Sequence, residues 1–184
     1  MREATSADLE RIRSMIKARE LWLRKRGTYS YGQGTAVLGL LGQPAANARV
    51  ICLLDKEDTQ VLGCSVLFTT MHASPGWTAD ERRERSWGMA MSHTHPDFRG
   101  NLIGWLMTVW VSDYAARQSD PPQWLRCRVP HPRLIAHYRD TLGWQPVRTI
   151  PDQDRRGVAL MQRRPEPSPG VAGIIANSVP MQLS

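Results

Sequence analysis

Residues 86–129 place a strand, a glycine-containing turn, a helix and a second strand directly one after another. The first strand, SWGMAMSHT (86–94), alternates between bulky and small side chains, which is the period of a strand. Apolar residues at helical spacing predict a helix over 102–118, and QWLRCRV (123–129) alternates again. Because a strand–helix–strand connection joins parallel neighbours, these two strands are expected to pair in parallel within one sheet.

The alternation in 86–94 also predicts two different faces for this strand. The odd-numbered residues from Trp87 to His93 are bulky and are expected on one face. The even-numbered residues from Gly88 to Thr94 are all small and are expected on the other. Small side chains allow a ligand to approach the strand backbone closely.

The rest of the chain predicts antiparallel hairpins and covering helices. A T-x-x-D cap begins the first helix, and polar or glycine-containing turns separate the strand patterns. The predicted order is typical of an α/β (α+β) fold, in which one mixed, mostly antiparallel sheet is covered by helices. The remaining elements are helices at 5–27, 35–41 and 131–144, and strands at 48–54, 60–71, 144–150 and 157–163.

The charge of the chain favours an anionic ligand. The net charge is +7, and nearly all of the positive residues are arginines. Arginine suits bidentate contacts to phosphate or carboxylate, although the surplus is equally consistent with the composition of the genome. The arginines are scattered and form no basic run with interleaved aromatics, so binding to nucleic acid is not expected.

Other compositional signals bear on location and domain limits. The three cysteines, Cys52, Cys64 and Cys127, lie far apart in apolar segments, which predicts buried reduced thiols. No apolar run is long enough to span a membrane, and the charged N-terminus does not resemble a signal peptide, so we expect a cytoplasmic location. We expect one domain over 1–164 and a tail rich in proline and small residues over 165–184.

The turn HPDFRGNLIGWLM (95–107) follows a strand and opens a helix. In that context the first backbone N–H groups of the helix point outward and favour an anion, most often phosphate. Arg99 adds a charge, and Gly100 and Gly104 keep side chains out of the way. From these residues alone, a phosphate-binding turn and an ordinary tight turn both remain open.

Two blocks together resemble the GNAT superfamily of acyl-CoA-dependent N-acyltransferases. MSHTHPDFRGNLIGWLM (91–107) is similar to the family's strand, Q/R-x-x-G-x-G/A turn and helix, and LRCRVPHPRLIAHYRDTLGWQPV (125–147) is similar to its later strand and tyrosine-bearing helix with an L-G-F-like end. The resemblance covers about residues 2–163. It implies six or seven strands, about four helices, and parallel strands that splay apart at the cofactor site.

The resemblance implies acetyl-CoA, or another acyl-CoA, as cosubstrate and no metal. It implies transfer of the acyl group to a primary amine of a small molecule or protein by direct attack. The alternative is a non-catalytic, CoA-binding regulatory module. Family members are often dimers, so a homodimer is a further expectation, and no membrane partner is expected.

The resemblance also assigns roles to individual residues. Tyr138 matches the position of the acid that protonates the leaving thiolate, although a tyrosine in a helix can simply pack its ring in the core. His131 either helps to position CoA or caps its helix. The implied cofactor-binding residues are Ser92, His93, Thr94, Arg99, Gly100, Asn101, Leu102, Ile103, Gly104, His131 and Tyr138.

The general base is not determined by the sequence. His93 and His95 titrate in a useful range near the end of the strand, and Glu84 lies just before it. His93 is equally consistent with a core histidine. The His93-x-His95 pair has no third ligand at a recognisable spacing, so a metal site is not expected.

The acceptor amine is expected across the sheet from the cofactor. The first helix, residues 28–42 and residues 71–85 would line this site, with YSYGQG (29–34) and Trp77 as aromatic walls or simply as packing.

Three positions depart from the family pattern. Leu102 stands where the turn has glycine, and it would be strained if that position needs a positive φ. His131 replaces a frequent asparagine, and Trp144 replaces phenylalanine.

Overall fold

The computed structural model describes residues 1–27, 33–70, 75–151, 157–171 and 175. In these ranges the chain forms seven β-strands and five α-helices. The strands are β1 (Arg2–Glu3), β2 (Ala48–Leu54), β3 (Val61–Phe68), β4 (Ser86–Thr94), β5 (Trp124–Val129), β6 (Gln145–Pro151) and β7 (Gly157–Arg163). The helices are α1 (Leu9–Arg24), α2 (Gln33–Gly42), α3 (Ala79–Arg83), α4 (Ile103–Ala116) and α5 (Pro132–Asp140).

All seven strands belong to one sheet, in the order β1-β2-β3-β4-β5-β7-β6. Every neighbouring pair is antiparallel except β4 and β5, which are parallel because α4 crosses over between them. The predicted fold class, with its parallel pair at the centre of a mostly antiparallel sheet, is confirmed.

Two apolar cores cover the two faces of the sheet. On the face that we call the α1 face, Ile12, Met15 and Ile16 of α1 pack with Val50 and Val66 of the sheet. The opposite face, the α4 face, is covered by α4 and α5. The members of its core include Trp87, Met89, Met107, Trp110, Leu125, Cys127, Val129 and Met161.

The first helical turn begins at a buried carboxylate. Asp8 forms the predicted capping box with Thr5, whose N–H donates to Asp8 Oδ2 at 2.8 Å. Arg2 donates to both Asp8 oxygens, at 2.6 and 2.9 Å, and Arg11 also pairs with Asp8. The short first strand and α1 are therefore tied together through one fully buried side chain.

Helix α4 packs very closely on the end of β3. A Cβ at Gly63 would lie 2.6 Å from Met107 Sδ and 2.9 Å from Ile103 Cγ2. Only glycine fits at this crossing without displacing α4. The start of α4 is thereby held over the C-terminal end of β4, which pairs with β3 at Gly63 and Thr94.

The structure differs from the sequence expectations in two segments. The predicted loop at 73–84 contains α3, whose start is capped by Thr78 and Glu81. The first part of the predicted tail lies against α4, where the Ser168 N–H donates to Asp113 Oδ1 at 2.8 Å and Val171 is buried.

Three features lie partly or wholly outside the described residues. They are the turn after Pro151, the tyrosines of YSYGQG, and residues 71–74 of the predicted acceptor wall. In the part of the chain that the structure describes, no helix has the length and apolar character needed to cross a membrane.

Candidate active site

The parallel strands β4 and β5 pair over four residues only. The pairs run from Ser86 with Trp124 to Met89 with Cys127. Beyond them, β4 continues to Thr94 beside β3, and β5 continues to Val129 beside β7. The facing edges therefore part and open a gap in the middle of the sheet, which we call the β4–β5 cleft and define by residues 90–94 and 128–129.

A β-bulge in β4 lies at the start of this cleft. Cys64 and Val66 of β3 pair with His93 and Ala90, so three steps of β4 match two of β3. Met91 within the bulge has φ +52°, a left-handed conformation that is uncommon for a residue with a side chain. Bulges bend a strand and increase its twist, which explains why β4 turns away from β5 here.

The bulge changes which face each side chain occupies. Trp87 and Met89 pack in the α4-face core, whereas Met91 packs in the core of the α1 face. The expectation that the odd-numbered residues 87–93 share one face is therefore wrong. The extra residue resets the alternation, because side-chain direction has a period of two only in a regular strand.

Beyond the bulge, neighbouring residues of β4 point to opposite sides. Thr94 lies toward α4, with its Cγ2 4.0 Å from the position of a Cβ on Gly104. Ser92 makes a 2.9 Å hydrogen bond to Ser65. His93 alternates to the α1 face, where Arg19 and Glu20 of α1 are the charges that act on it.

The first turn of α4 presents open backbone donors at the mouth of the cleft. The amides of Leu102, Ile103, Gly104 and Trp105 have no acceptor within the described ranges. Gly100 has φ +93°, which only glycine adopts readily. Such a helix start favours an anion through its N–H groups and its dipole.

The preceding turn uses some of the donors that the sequence pattern had assigned to a ligand. The Arg99 N–H donates to Pro96 O at 3.4 Å, and the Asn101 N–H donates to Phe98 O at 3.1 Å. The Arg99 side chain is exposed and makes no ion pair with any described residue. Only part of the 99–104 backbone is therefore open to a ligand, together with the Arg99 guanidinium.

The strain anticipated at Leu102 is present. Leu102 is the N-cap of α4 and has φ +55° and ψ +25°. A side chain in this region costs roughly 1–2 kcal/mol relative to the right-handed conformation. Its side chain is 61% exposed, so no packing contact compensates for that cost.

Tyr138 on α5 reaches the α4 side of the cleft. Its ring packs 5.4 Å from that of Trp144 and lies against the core that contains Met107 and Trp110 of α4. The nearby Thr108 donates its hydroxyl hydrogen to Gly104 O at 2.9 Å. Burial raises the pKa of Tyr138 well above its ordinary value, which keeps the phenol protonated.

His93 is buried and has a free ring nitrogen. Its residue exposure is 9%, and its Nε2 has no hydrogen-bond partner among the described residues. Burial lowers the pKa of His93 below its ordinary value, while Glu20 raises it and Arg19 lowers it to smaller extents. The imidazole is therefore neutral at pH 7 and has a lone pair available.

His95 and His131 both act as helix caps. His95 Nδ1 accepts the Asp97 N–H at 3.3 Å, and its Nε2 lies 3.3 Å from Gln60 Nε2. His131 Nδ1 accepts the Arg133 N–H at 3.2 Å at the start of α5. Of the two roles considered for His131, the structure contains the cap.

Glu84 is not brought to the cleft. It precedes β4 at the paired end of the parallel strands, and it forms an ion pair with Arg126. Arg126 is fully buried, and its guanidinium lies 4.5 Å from the ring centre of Trp77. The Glu84 carboxylate is therefore committed to a buried cation at the opposite end of β4 from His93.

Sequence reasoning missed Ser65 and Thr108. Ser65 is buried and donates to Ala90 O at 2.9 Å, inside the bulge. Thr108 is buried on α4 and donates to the carbonyl of Gly104 in the first turn of that helix. Nothing in the sequence marks a serine within a strand as part of a bulge. Thr108 could have been considered, because it lies one helical turn after Gly104.

No metal site is formed within the described part of the chain. No group of three or more histidine, cysteine, aspartate or glutamate side chains there is placed to hold an ion. His93 and His95, the pair considered from the sequence, have separate environments in the structure: His93 is buried on the α1 face and His95 caps a short helix.

Comparison with known proteins identifies the fold. No protein-family model matches the sequence, and no curated protein matches it. Among solved structures, NAA60 of Arabidopsis thaliana in complex with acetyl-CoA matches with a TM-score of 0.61 and 10% identity over 88% of this chain and 96% of that one. A Desulfovibrio desulfuricans protein assigned to the GNAT family matches with a TM-score of 0.60 and 12% identity, over 87% of this chain and 94% of that one.

An aminoglycoside acetyltransferase, AAC(6')-Ib, with coenzyme A and kanamycin is also similar. It matches with a TM-score of 0.62 and 12% identity, over 94% of this chain and 95% of that one. At these identities the similarity establishes the fold alone. The chain has the GNAT fold, with its sheet divided at the β4–β5 cleft.

Proposed function

We propose that this chain is an N-acyltransferase that moves an acetyl or other acyl group from acyl-CoA to a primary amine. The observation that carries the proposal is the β4–β5 cleft itself. Two parallel strands part after Met89 and Cys127, and the open amides of α4 lie at the mouth of the gap. A phosphate-bearing, extended thioester is a ligand that fits both features.

The start of α4 supplies the anion site. Four consecutive amides from Leu102 to Trp105 lack an acceptor in the described chain, and Gly100 leaves the approach to them open. The Arg99 guanidinium adds a charge-assisted donor beside them. These groups suit the pyrophosphate of CoA, and the net charge of +7 favours its approach.

The free edge of β4 supplies an extended binding surface. Among the described residues, Ser92 to Thr94 have no strand partner on the side of β5. The pantetheine arm can pair with this edge as an added strand would, and a backbone N–H of β4 can donate to the thioester carbonyl. Acyl-CoA, when bound there, provides the activated acyl group.

We assign Tyr138 as the acid that donates a proton to the leaving thiolate. It lies on the α4 face of the cleft, and its raised pKa keeps the phenol protonated until a strong acceptor arrives.

We assign His93 as the base that removes the proton of the acceptor amine. It lies on the α1 face of the cleft, so acid and base stand on opposite sides of the sheet. Burial keeps the imidazole neutral, and we assign as the acceptor its Nε2, which has no hydrogen-bond partner among the described residues, acting directly or through water. Glu84 does not have this role, because Arg126 holds its carboxylate.

The solved structures support the cosubstrate more than the acceptor. NAA60 of Arabidopsis thaliana was crystallised with acetyl-CoA, and AAC(6')-Ib with coenzyme A and kanamycin. We carry over the CoA ligand, since the open amides and the free strand edge both suit it. The alternative remains a CoA-binding module that transfers nothing.

Release of free thiol from acetyl-CoA in the presence of a panel of amines tests the proposal. We expect amine-dependent release, reduced by about one to two orders of magnitude in Tyr138→Phe because general acid catalysis is lost. The matched control is Tyr114→Phe, whose ring stacks on Trp110 at 4.9 Å. CoA binding without thiol release, with Tyr138→Phe equal to wild type, would instead support the regulatory module.

A further inference from the structure

Arg128 stands at the edge of the cleft on the face where the acceptor amine would bind. Leu125, Cys127 and Val129 of β5 all point into the α4-face core. Because side chains alternate along a strand, Arg126 and Arg128 point to the opposite, α1 face. Arg128 is one residue beyond Cys127, the last residue of β5 that pairs with β4.

The two arginines of β5 are in opposite electrostatic situations. Arg126 is fully buried and is held by Glu84, the Ser86 hydroxyl and the Trp77 ring. Arg128 is exposed and has no acidic partner among the described residues. The Arg126 guanidinium therefore has a structural role. The Arg128 guanidinium, on the same face, is available to a ligand.

Arg128 and His93 face the same region from the two sides of the cleft. The register places Ala90 next to Arg128 across the gap, one step past the Met89–Cys127 pair. His93 is three residues farther along β4, which is at most about 10 Å of extended chain. The long side chain of Arg128 can bridge much of this separation, so a small ligand bound by Arg128 can extend toward His93, whose own Nε2 is buried.

The other charges on this face do not cancel Arg128. Glu81 is paired with Arg148, and Glu84 with Arg126. Arg19 of α1 lies with its guanidinium 4.8 Å from the centre of the Trp22 ring and acts on His93 as a positive charge.

The remaining free carboxylate near His93 is Glu20. Its Oε1 is turned to the start of α2, 3.2 Å from the position of a Cβ on Gly34. Near His93 the described residues of this face therefore include two positive groups, Arg19 and Arg128, and a single free carboxylate.

We propose that the acceptor is a primary amine that also carries an anionic oxygen group, a carboxylate or a phosphate, which Arg128 binds while His93 faces the amine. This inference rests on the proposed acyl transfer. A guanidinium can donate two parallel hydrogen bonds to a carboxylate or to a phosphate. This charge-assisted contact favours amines that carry such a group over amines without an anionic group. A polycationic amine such as kanamycin is disfavoured by Arg19 and Arg128 on the same face.

Acetyl transfer to matched amine pairs tests this inference. The pairs are β-alanine with propylamine and phosphoethanolamine with ethanolamine, and kanamycin is the polycationic probe. We expect kcat/KM to be about tenfold or more higher for one anionic member, since a charge-assisted contact contributes about 1.5–3 kcal/mol. The better of the two anionic probes identifies the carboxylate or the phosphate.

Arg128→Gln should remove this preference mainly through KM, and Arg128→Lys should restore part of it. Arg13→Gln, which removes an exposed positive charge from α1, should leave the preference unchanged. Preference for propylamine, ethanolamine or kanamycin, or an anionic preference that survives in Arg128→Gln, would overturn the inference while leaving acyl transfer intact. Absence of thiol release with every amine would overturn both proposals.

Discussion

The hydroxyl of Ser65 on β3 donates to the carbonyl of Ala90 on β4 at 2.9 Å, inside the bulge where β4 leaves β5. Ala90 lies at the edge of the bulge, and the buried hydroxyl of Ser65 gives its carbonyl a side-chain donor. Ser65 also makes a hydrogen bond to Ser92, so one side chain fixes both ends of the distortion. The width of the candidate site thus depends on a residue of the neighbouring strand.

Ser65→Ala should destabilise the fold and loosen the cleft. The loss of the hydrogen bonds made by this buried hydroxyl costs about 0.5–1.5 kcal/mol for each bond. We expect a lower free energy of unfolding in urea and a higher KM for acyl-CoA. Ser14→Ala, at an exposed position of α1, is the control and should change stability by less than about 0.5 kcal/mol. Equal effects of the two substitutions would argue against a role of Ser65 in the bulge.

Leu102→Asn should stabilise the protein. Asparagine tolerates the left-handed conformation better than leucine, and the exposed Leu102 side chain loses no packing, so we expect a gain of about 1 kcal/mol. The same change at Leu134, exposed in the right-handed helix α5, should cost about 0.5 kcal/mol. Thermal or urea unfolding of both variants measures the difference, and a loss of stability in Leu102→Asn would contradict the strain at this site.

The rate of acyl transfer should depend on pH through His93. Burial lowers the pKa of His93 below 6.5, so the neutral, proton-accepting form predominates at pH 7 and is lost as the pH falls through that lowered value. We expect kcat/KM to decline on the acidic side with this pKa, and the decline to disappear, with a lower plateau, in His93→Gln. His137→Gln on α5 is the control. If kcat/KM declines at low pH in His93→Gln as it does in the wild-type protein, the general base is a residue other than His93.

Asp8 should make the fold sensitive to acid. Burial alone would raise the pKa of Asp8, but hydrogen bonds from Arg2, Thr5 and Arg11 outweigh it and hold the pKa well below its usual value. The stability that this carboxylate contributes is therefore present above the unfolded pKa, about 3.9, and is lost as the pH falls below it.

Asp8→Asn tests this contribution directly. Removing one partner of a buried ion pair costs about 3–5 kcal/mol, and we expect a loss near the lower end because Arg2 and Arg11 are partly exposed. Glu10→Gln, which breaks an exposed pair with Arg13, should cost less than about 1 kcal/mol. Urea unfolding at pH 7 and pH 3 should show the difference between the two variants shrinking at the lower pH.

Regular elements were predictable from the sequence because their patterns are local. The predicted limits of β2, β4 and β7 coincide with the observed strands, and the parallel β4–β5 pair follows from the α4 crossover. The replacement of glycine by Leu102 in the turn predicts backbone strain at this position, and the positive φ of Leu102 confirms this.

The details of the site depend on contacts between distant residues. The left-handed conformation of Met91 is not predictable from the sequence, because a glycine usually marks such a position and Met91 is not a glycine. The sequence therefore predicts a strict alternation where the strand has a bulge. The role of Ser65 required the register between β3 and β4. Glu84 looked available beside the strand, but its partner Arg126 is 42 residues away in the chain.

Calorimetric titration with acetyl-CoA tests the central claim, that the cleft and the start of α4 form an acyl-CoA site. We expect one molecule bound per chain, with a Kd of about 1 mM or tighter. Binding should be at least about tenfold weaker in Gly100→Val, because φ +93° excludes a branched side chain and the turn beside the open amides must change. No saturable binding by the wild-type protein at millimolar acetyl-CoA would contradict the account.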